Sequence, residues 1–470
     1  MELPDVTMTI DGKSVPHVDG FDVVNPATEQ AFTQAPDCTQ DQLDAAFDSA
    51  QRAYDSDWRA DLPARRQALV AVADALVAHA QELAPVLTLE QGRPVAQAAT
   101  ELHAAAMWFR YFAALEVGPE VVQDDETAYA EIIRRPLGVV AAITPWNFPV
   151  LLAAWKLAPA LLAGNTVVLK PSPYTPLTTL ALGAAVRDCL PPGVLNVVSG
   201  RDPLGAAMTS HPVPRKISFT GSIPTGKRVA AAAADDLKRV TLELGGNDPA
   251  ILLEDVDPAA ITEKLFQSSF GNSGQICSAI KRVYVHESRY DEVVEALTER
   301  VRAARVGDGF EEGVELGPIQ NAPQYARVSS LVAAALDSGA TATTGGRQRS
   351  GPGYFFEPTV LTGAADDSPI VAEEQFGPAL PIMSFRKVED ALARANGTQH
   401  GLGASVWGQD LERAAAVAGQ LDSGSVWVNT HMAVAPNLPF SGAKWSGLGV
   451  ENGPWGYAAF TELQLVMRAK

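Results

Sequence analysis

One thiol in this sequence stands where it could act as a nucleophile. Cys277 comes near the end of Phe270-Gly271-Asn272-Ser273-Gly274-Gln275-Ile276-Cys277-Ser278, a Gly- and Asn-rich turn of the kind that presents a side chain without burying it. Before the turn, Ile261, Leu265, Phe266 and Phe270 recur at helical spacing; after it, Arg282-Val283-Tyr284-Val285-His286 reads as extended. A free thiol is only a few per cent ionised at neutral pH and is helped by a nearby dipole or base. Taken alone, Cys277 fits a small core residue equally well. Three further stretches carry the groups that nucleophilic chemistry would need. Pro145-Trp146-Asn147-Phe148-Pro149 holds an amide donor, Glu243-Leu244-Gly245-Gly246-Asn247 a carboxylate, and Glu373-Glu374-Gln375-Phe376-Gly377-Pro378 a second carboxylate beside an aromatic ring.

These four stretches, in this order and at this spacing, make the chain resemble the aldehyde dehydrogenase superfamily from about residue 20 to the C-terminus. The resemblance implies a hydrolytic, NAD(P)-dependent oxidation of an aldehyde to its acid through a thiohemiacetal and a thioester on Cys277. Asn147 and the Cys277 backbone N–H would bind the developing oxyanion; read alone, Asn147 could instead cap the helix beginning near Pro149. Glu243 would be the general base for thioester hydrolysis, against a reading as a surface carboxylate ending a strand. Lys156 and Glu451 match positions proposed to relay protons, and a structural salt bridge fits them as well. The coenzyme positions implied are Ile143, Thr144, Pro145, Trp146, Lys170, Ser172, Gly200, Gly221, Ser222, Leu244, Glu374 and Phe376. Phe219-Thr220-Gly221-Ser222-Ile223-Pro224-Thr225-Gly226 also reads by itself as a strand-to-helix turn suited to a pyrophosphate. The family's frequent Lys-Pro-Ser-Glu is here Lys170-Pro171-Ser172-Pro173. In the family that carboxylate bonds the adenosine ribose hydroxyls and repels a 2′-phosphate, so its loss leaves NADP open; NAD is still favoured, because no Arg near Pro173 marks a phosphate pocket. Phe148, Leu151, Leu152, Trp155, Ile276, Ser278, Val434 and Phe440 would wall the substrate entrance. They are nearly all apolar, and Trp155 stands where a succinic semialdehyde enzyme would carry Arg, so an apolar aliphatic or aromatic aldehyde is expected. A CoA-acylating enzyme is a rival that Glu243 disfavours. A non-catalytic structural protein on the same fold would be expected to have lost Cys277 or Glu243.

The elements that must position these residues follow from periodicity. Thr39-Gln40-Asp41-Gln42 reads as a capping box opening a helix, after an irregular start. Pro63 suits the first turn of a second helix, a further one runs toward Glu90, and an Ala-rich helix spans Val95 to Leu115. Two extended runs between Val121 and Ile133 flank Asp124-Asp125-Glu126-Thr127 as a hairpin with an exposed edge. Apolar strands at Val139–Ile143, Thr166–Leu169, Val194–Val198, Lys216–Phe219 and Val240–Leu244 alternate with helices, the pattern of a doubly wound parallel sheet with its ligand at the strands' carboxyl ends. A second α/β region follows, with strands at Ala250–Leu253, Arg282–His286, Pro378–Phe385, Ala404–Trp407 and Ser425–Val428, and an edge strand closes the chain near Phe460–Val466. The expected division is a coenzyme domain of residues 1–118 and 138–244, a catalytic domain of 245–435, and a small β oligomerisation element of 119–137 and 453–470.

With 470 residues the chain exceeds one ordinary core. A net charge of −19, from 36 basic and 55 acidic residues, argues against nucleic acid as a partner. Cys38, Cys189 and Cys277 are far apart and form no CxxC pair, which fits a reducing compartment and offers no zinc ligand set. The first residues lack the pattern of a signal peptide, and no run of about 18 apolar residues marks a membrane span. The expectation is therefore a cytoplasmic enzyme, without metal or membrane partner, that assembles as a homodimer or homotetramer.

Overall fold

The computed structural model describes residues 3–16 and 18–470. Its largest sheet has eight strands in the order Gly447–Leu448, Arg239–Glu243, Lys216–Thr220, Val139–Ile143, Thr166–Lys170, Leu195–Val197, Met8–Ile10, Lys13–Val15. The middle five are parallel. Chain order runs outward one way from Val139–Ile143, then returns to its other side with Lys216–Thr220, so a topological switch point lies between the ends of these two strands, where open α/β sheets bind ligands. Asn147 follows one of those ends and Gly221 the other.

A seven-stranded sheet places Ile280–His286 between Ala379–Phe385 and Asp248–Leu252, all parallel. Cys277 lies just ahead of that strand. The carboxyl edge of the first sheet therefore faces the amino edge of a strand in the second. Helices cover both sheets, and the apolar core falls into one large cluster under the first and two smaller ones on either face of the second. The hairpin Glu120–Asp124 and Ala128–Pro136 pairs antiparallel with Thr461–Ala469, which is an edge strand of that three-stranded sheet.

Two expectations need correction. The start before Thr39 is not irregular: Met8–Ile10 and Lys13–Val15 extend the first sheet, and Gly20–Asn25 pairs with Gln30–Pro36. The turn between the first two strands is Asp11-Gly12, both residues at positive φ (55° and 69°), the Asp-Gly signature of a tight hairpin. The two helices expected between Pro63 and Glu90 are one, Leu62–Gln91, which runs on through Pro85 and stops at Gly92 in the left-handed conformation. Pro85 removes one backbone hydrogen bond, but Leu83, Ala84, Val86 and Leu87 are buried around it, so packing holds the helix through the defect. By length and composition this helix could cross a bilayer; here it packs along Val95–Ala114 with Leu69, Val72 and Leu76 buried.

Candidate active site

Leading into Cys277, three successive residues, Asn272, Ser273 and Gly274, have φ of 50°, 54° and 72°. Left-handed backbone at non-glycine residues costs roughly 1–2 kcal/mol each and persists only where neighbours hold it. Here Ser273 Oγ donates to the Gly317 carbonyl at 2.7 Å, and Asn272 Oδ1 accepts from Gln91 Nε2 at 3.0 Å. At Gly274 a Cβ would collide with the Gly377 carbonyl, so only glycine fits. Cys277 is less open than the turn alone suggests. Its side of the cleft is partly exposed, yet burial pushes the thiol up to about 12, with Lys281 opposing the shift and Glu243, Glu374 and Asp248 adding to it.

Asn147 is buried, and its side-chain amide donates to the Gln275 carbonyl at 2.9 Å, tying it to the Cys277 loop. It does not cap the following helix: the capping position of Pro149–Ala163 is Phe148, without a side-chain bond. Instead the Glu101 carboxylate accepts from the N–H groups of Val150 and Leu151 at 2.9 and 3.0 Å. Arg93 pairs with Glu101 at 2.6 Å, stacks 4.3 Å over the Phe148 ring and donates to the Asn147 carbonyl. Asn272 Nδ2 donates to that same carbonyl at 3.2 Å. The two loops bearing Asn147 and Cys277 are thus braced as one unit.

Glu243 ends its strand inside the protein, 4% exposed, so it is no surface carboxylate. Neither of its oxygens has a hydrogen-bond partner among the described residues. Burial first, then the charge of Glu451, raises its carboxyl well above the usual range, against the pull of Lys156. An unpartnered buried carboxylate is costly to folding and poised to take a proton. Lys156 and Glu451 form a buried ion pair at 2.7 Å, with the Lys156 ammonium also donating to Thr220 Oγ1 at 2.7 Å.

A cavity of about 1410 Å³ joins these groups. Its lining includes Pro145, Trp146, Asn147, Gly221, Ser222, Glu243, Leu244, Cys277, Glu374 and Phe376. The size and the mix of groups suit a dinucleotide. Three observations fit a nicotinamide coenzyme. Ser222 caps the 12-residue helix Ile223–Ala234, whose amino end faces the cavity. The Thr144 hydroxyl, next to the cavity-lining Pro145 though not itself in the wall, is buried without a partner among the described residues. The Trp146 and Phe376 rings meet edge to face at 5.2 Å beside Glu374, which Gly246 N–H contacts at 3.1 Å. Ile143, Lys170, Ser172 and Gly200 lie on the neighbouring strand ends rather than in the cavity wall, with Thr144 N–H donating to the Lys170 carbonyl at 3.0 Å.

The expected entrance residues divide. Leu152, Trp155 and Phe440 belong to the large core cluster; Trp155 stacks on Trp108 at 5.6 Å and meets Phe440 edge-on at 5.2 Å. Phe148, Leu151 and Val434 pack against that cluster half-buried, Ile276 is half-buried and Ser278 is buried. None of the eight lines the cavity on the coenzyme side.

Sequence reasoning missed four groups beside the site. Lys281 contacts the carbonyls of Ile276 and Cys277; its signal was a basic residue, beside Arg282, at the start of a buried strand. The Gln91–Arg93–Glu101 brace joins residues too far apart to suggest a pairing. Asp248 and His431 are buried together under the loop, where the His431 ring contacts the Ser278 carbonyl at 2.8 Å. Asp37 and Asp202 lie near Lys170, whose ammonium burial lowers to about 8 while those two carboxylates oppose the shift.

Residues 14–466 match the aldehyde dehydrogenase family. The chain is 40% identical over 453 residues to the phenylacetaldehyde dehydrogenase of Pseudomonas fluorescens, covering 92% of this chain and 89% of that protein. It superposes with a TM-score of 0.96 on the NAD+ complex of a Bacillus cereus aldehyde dehydrogenase at 35% identity, covering 100% and 97% of the two chains. An E. coli NADP-dependent enzyme gives 0.96 at 36% identity, covering 99% and 98%. On the match that runs through nearly its whole length, the chain belongs to the aldehyde dehydrogenase family.

Proposed function

We propose that this protein oxidises an apolar aldehyde, aliphatic or aromatic, to its carboxylic acid through a thioester on Cys277. The observation that carries the hydrolytic reading is Glu243, buried in the cavity wall with two unpartnered oxygens and a raised carboxyl pKa. The thiol first loses its proton, and Glu243 is the acceptor at hand. The thiolate then adds to the aldehyde carbon, and the new oxyanion sits between the Asn147 amide and the Cys277 N–H. A nicotinamide coenzyme, when bound in the cavity, would supply the acceptor for the hydride of this carbon. Once Glu243 has given up the thiol's proton, it takes one from water, the hydroxide adds to the thioester carbon, and the carbon–sulfur bond breaks to release the acid and the thiolate. Lys156 and Glu451, hydrogen-bonded in one buried pair, stand close enough in charge to Glu243 to carry its proton onward.

For the coenzyme, Ser222 and the helix it caps would hold the pyrophosphate, and Glu374 and Phe376 the nicotinamide ribose and ring. NAD is the favoured coenzyme. Pro173 leaves discrimination against NADP weak, and the similar structures include both an NAD+ complex and an NADP-dependent enzyme. The apolar substrate class rests on Phe148, Leu151, Trp155, Val434 and Phe440, with a phenylacetaldehyde dehydrogenase among the relatives. For the division into residues 1–118 with 138–244, residues 245–435, and 119–137 with 453–470 as coenzyme, catalytic and oligomerisation parts, the support is that one core cluster gathers mainly the first part and two lie within the second, although Leu402, Tyr457 and Phe460 pack with the first, and that the third part forms a sheet of its own. The compartment we favour is the cytoplasm.

Rapid mixing of Glu243→Gln with aldehyde and coenzyme tests the assignment. One equivalent of reduced coenzyme should form in a burst and turnover should then stall, while Cys277→Ala should give no burst. Steady turnover at the native rate in Glu243→Gln would assign the water to another base. A burst from Cys277→Ala would remove the covalent route.

A further inference from the structure

The Cys277 thiol faces three carboxyl groups, Glu243, Glu374 and Asp248, and one ammonium, Lys281. Lys281 is the second residue of the strand Ile280–His286, with a side chain 3% exposed. Its Nζ donates to the Ile276 carbonyl at 2.8 Å and the Cys277 carbonyl at 2.6 Å, and pairs with Glu374 Oε1 at 3.2 Å. Those partners take all three of its donors. A buried ammonium is expensive unless it is fully paired, so this one is committed to the site.

Two consequences follow from peptide geometry and charge. In a trans peptide the C=O and the next N–H point in opposite directions. Drawing the Ile276 carbonyl toward Lys281 therefore turns the Cys277 N–H away from it, and that N–H donates to no acceptor among the described residues. Lys281 also bridges the nucleophile's loop to the Glu373–Pro378 segment, and its ammonium lies 5.8 Å from the centre of the Phe376 ring. The other charged or titratable groups around Lys281 are Asp248, Arg282, His400 and His431. Burial holds His400 and His431 neutral, lowering them to about 4 and about 3, and raises Asp248 to about 8. With both histidines neutral, Lys281 is the one group among those acting on the thiol that pulls it toward the thiolate.

We infer that Lys281 is the positioning residue of this site: it sets the direction of the Cys277 peptide, favours the thiolate against the surrounding carboxylates, and couples the nucleophile to Glu374. The inference rests on Cys277 being the nucleophile. Its measure is the rate at which iodoacetamide modifies Cys277 at fixed pH between 7 and 9, with the modified residue located by mass spectrometry. Lys281→Met should slow modification about tenfold at each pH. Lys281→Arg should restore most of the rate. Glu374→Gln should speed it, because that change takes a carboxyl group from the thiol and frees the ammonium. A Lys281→Met rate equal to the native one overturns the inference. If that variant does not fold, a Glu374→Gln rate that is unchanged or lower does so by itself. Native turnover by Cys277→Ala would instead remove the nucleophile assignment, so the two failures are distinct.

Discussion

At Asp248, burial raises the carboxyl to about 8 while the Lys281 ammonium pulls it down. An unfolded aspartate titrates near 4, so between these values the folded chain holds a proton that the unfolded chain has lost. The stabilisation is complete below about pH 4 and disappears as pH rises through about 8, at up to about 1.4 kcal/mol per pH unit. Asp248→Asn should lack this slope. Thermal unfolding midpoints of the two proteins between pH 5 and 8 should diverge, because the other buried groups titrate alike in both and cancel in the difference. Parallel curves would place the Asp248 proton elsewhere. Coenzyme choice also belongs to single residues. Pro173 can neither bond ribose hydroxyls nor repel a phosphate, whereas Asp37 and Asp202 stand close enough to Lys170 to shift it. Pro173→Glu should raise the NAD-to-NADP ratio of kcat/KM values by about ten- to a hundredfold, the worth of one charge-assisted hydrogen bond. If the ratio is unchanged, Asp37 and Asp202 already set it.

The helices carry the site through their ends. The amino end of Pro149–Ala163 is held by Glu101, which is held by Arg93, which also reaches the Asn147 carbonyl. Both side chains of the ion pair are nearly inaccessible, at 2% and 1% exposure. Removing one partner of such a pair leaves a buried charge alone and costs about 3–5 kcal/mol. Arg93→Met should lose about that much in chemical denaturation and lower kcat/KM as well. Adding Glu101→Gln should restore most of the stability and little of the activity, because the Asn147 loop still lacks its donor. Recovery of both would mean that the pair serves only the fold. The helix Leu62–Gln91 ends at Gln91, whose amide reaches Asn272, so its passage through Pro85 delivers the brace to the Cys277 loop. Two helices broken at Pro85 would have no such fixed end.

For the whole molecule, assembly turns on the strand Thr461–Ala469. It is a nine-residue edge with Leu463, Leu465 and Met467 at 63%, 62% and 59% exposure. A long apolar edge of this kind invites pairing with another chain, and we propose that copies of this protein cover it, as a dimer or tetramer. Leu463→Glu with Leu465→Glu should lower the mass measured by sedimentation by at least half. An unchanged mass would move the contact to another face.

Much of this protein was legible in the sequence because its information is local. Continuous apolar runs mark the five parallel strands, the capping box at Thr39 opens its helix as expected, and a cysteine in a Gly-Asn turn marks the reacting loop. Where sequence fell short, the deciding contacts join distant segments. The run from Pro63 to Glu90 reads as two helices when judged locally, while the burial of Leu83 and Leu87 that carries a single helix through Pro85 is set by distant segments. The Asp11-Gly12 hairpin was readable, but its three-residue strands are too short to show period-two alternation and gain their order from the neighbouring strand at Val197. Periodicity could place Asn147 and Glu243 at strand ends facing a crevice, and Cys277 in a turn ahead of a strand. Only the docking of two sheets, carboxyl edge against amino edge, decided that the thiol would be raised rather than lowered, that Glu243 would stand without a partner, and that Lys281 would close the distance between the nucleophile and Glu374, because desolvation and charge pairing depend on what surrounds a group in space rather than on what precedes it in the chain.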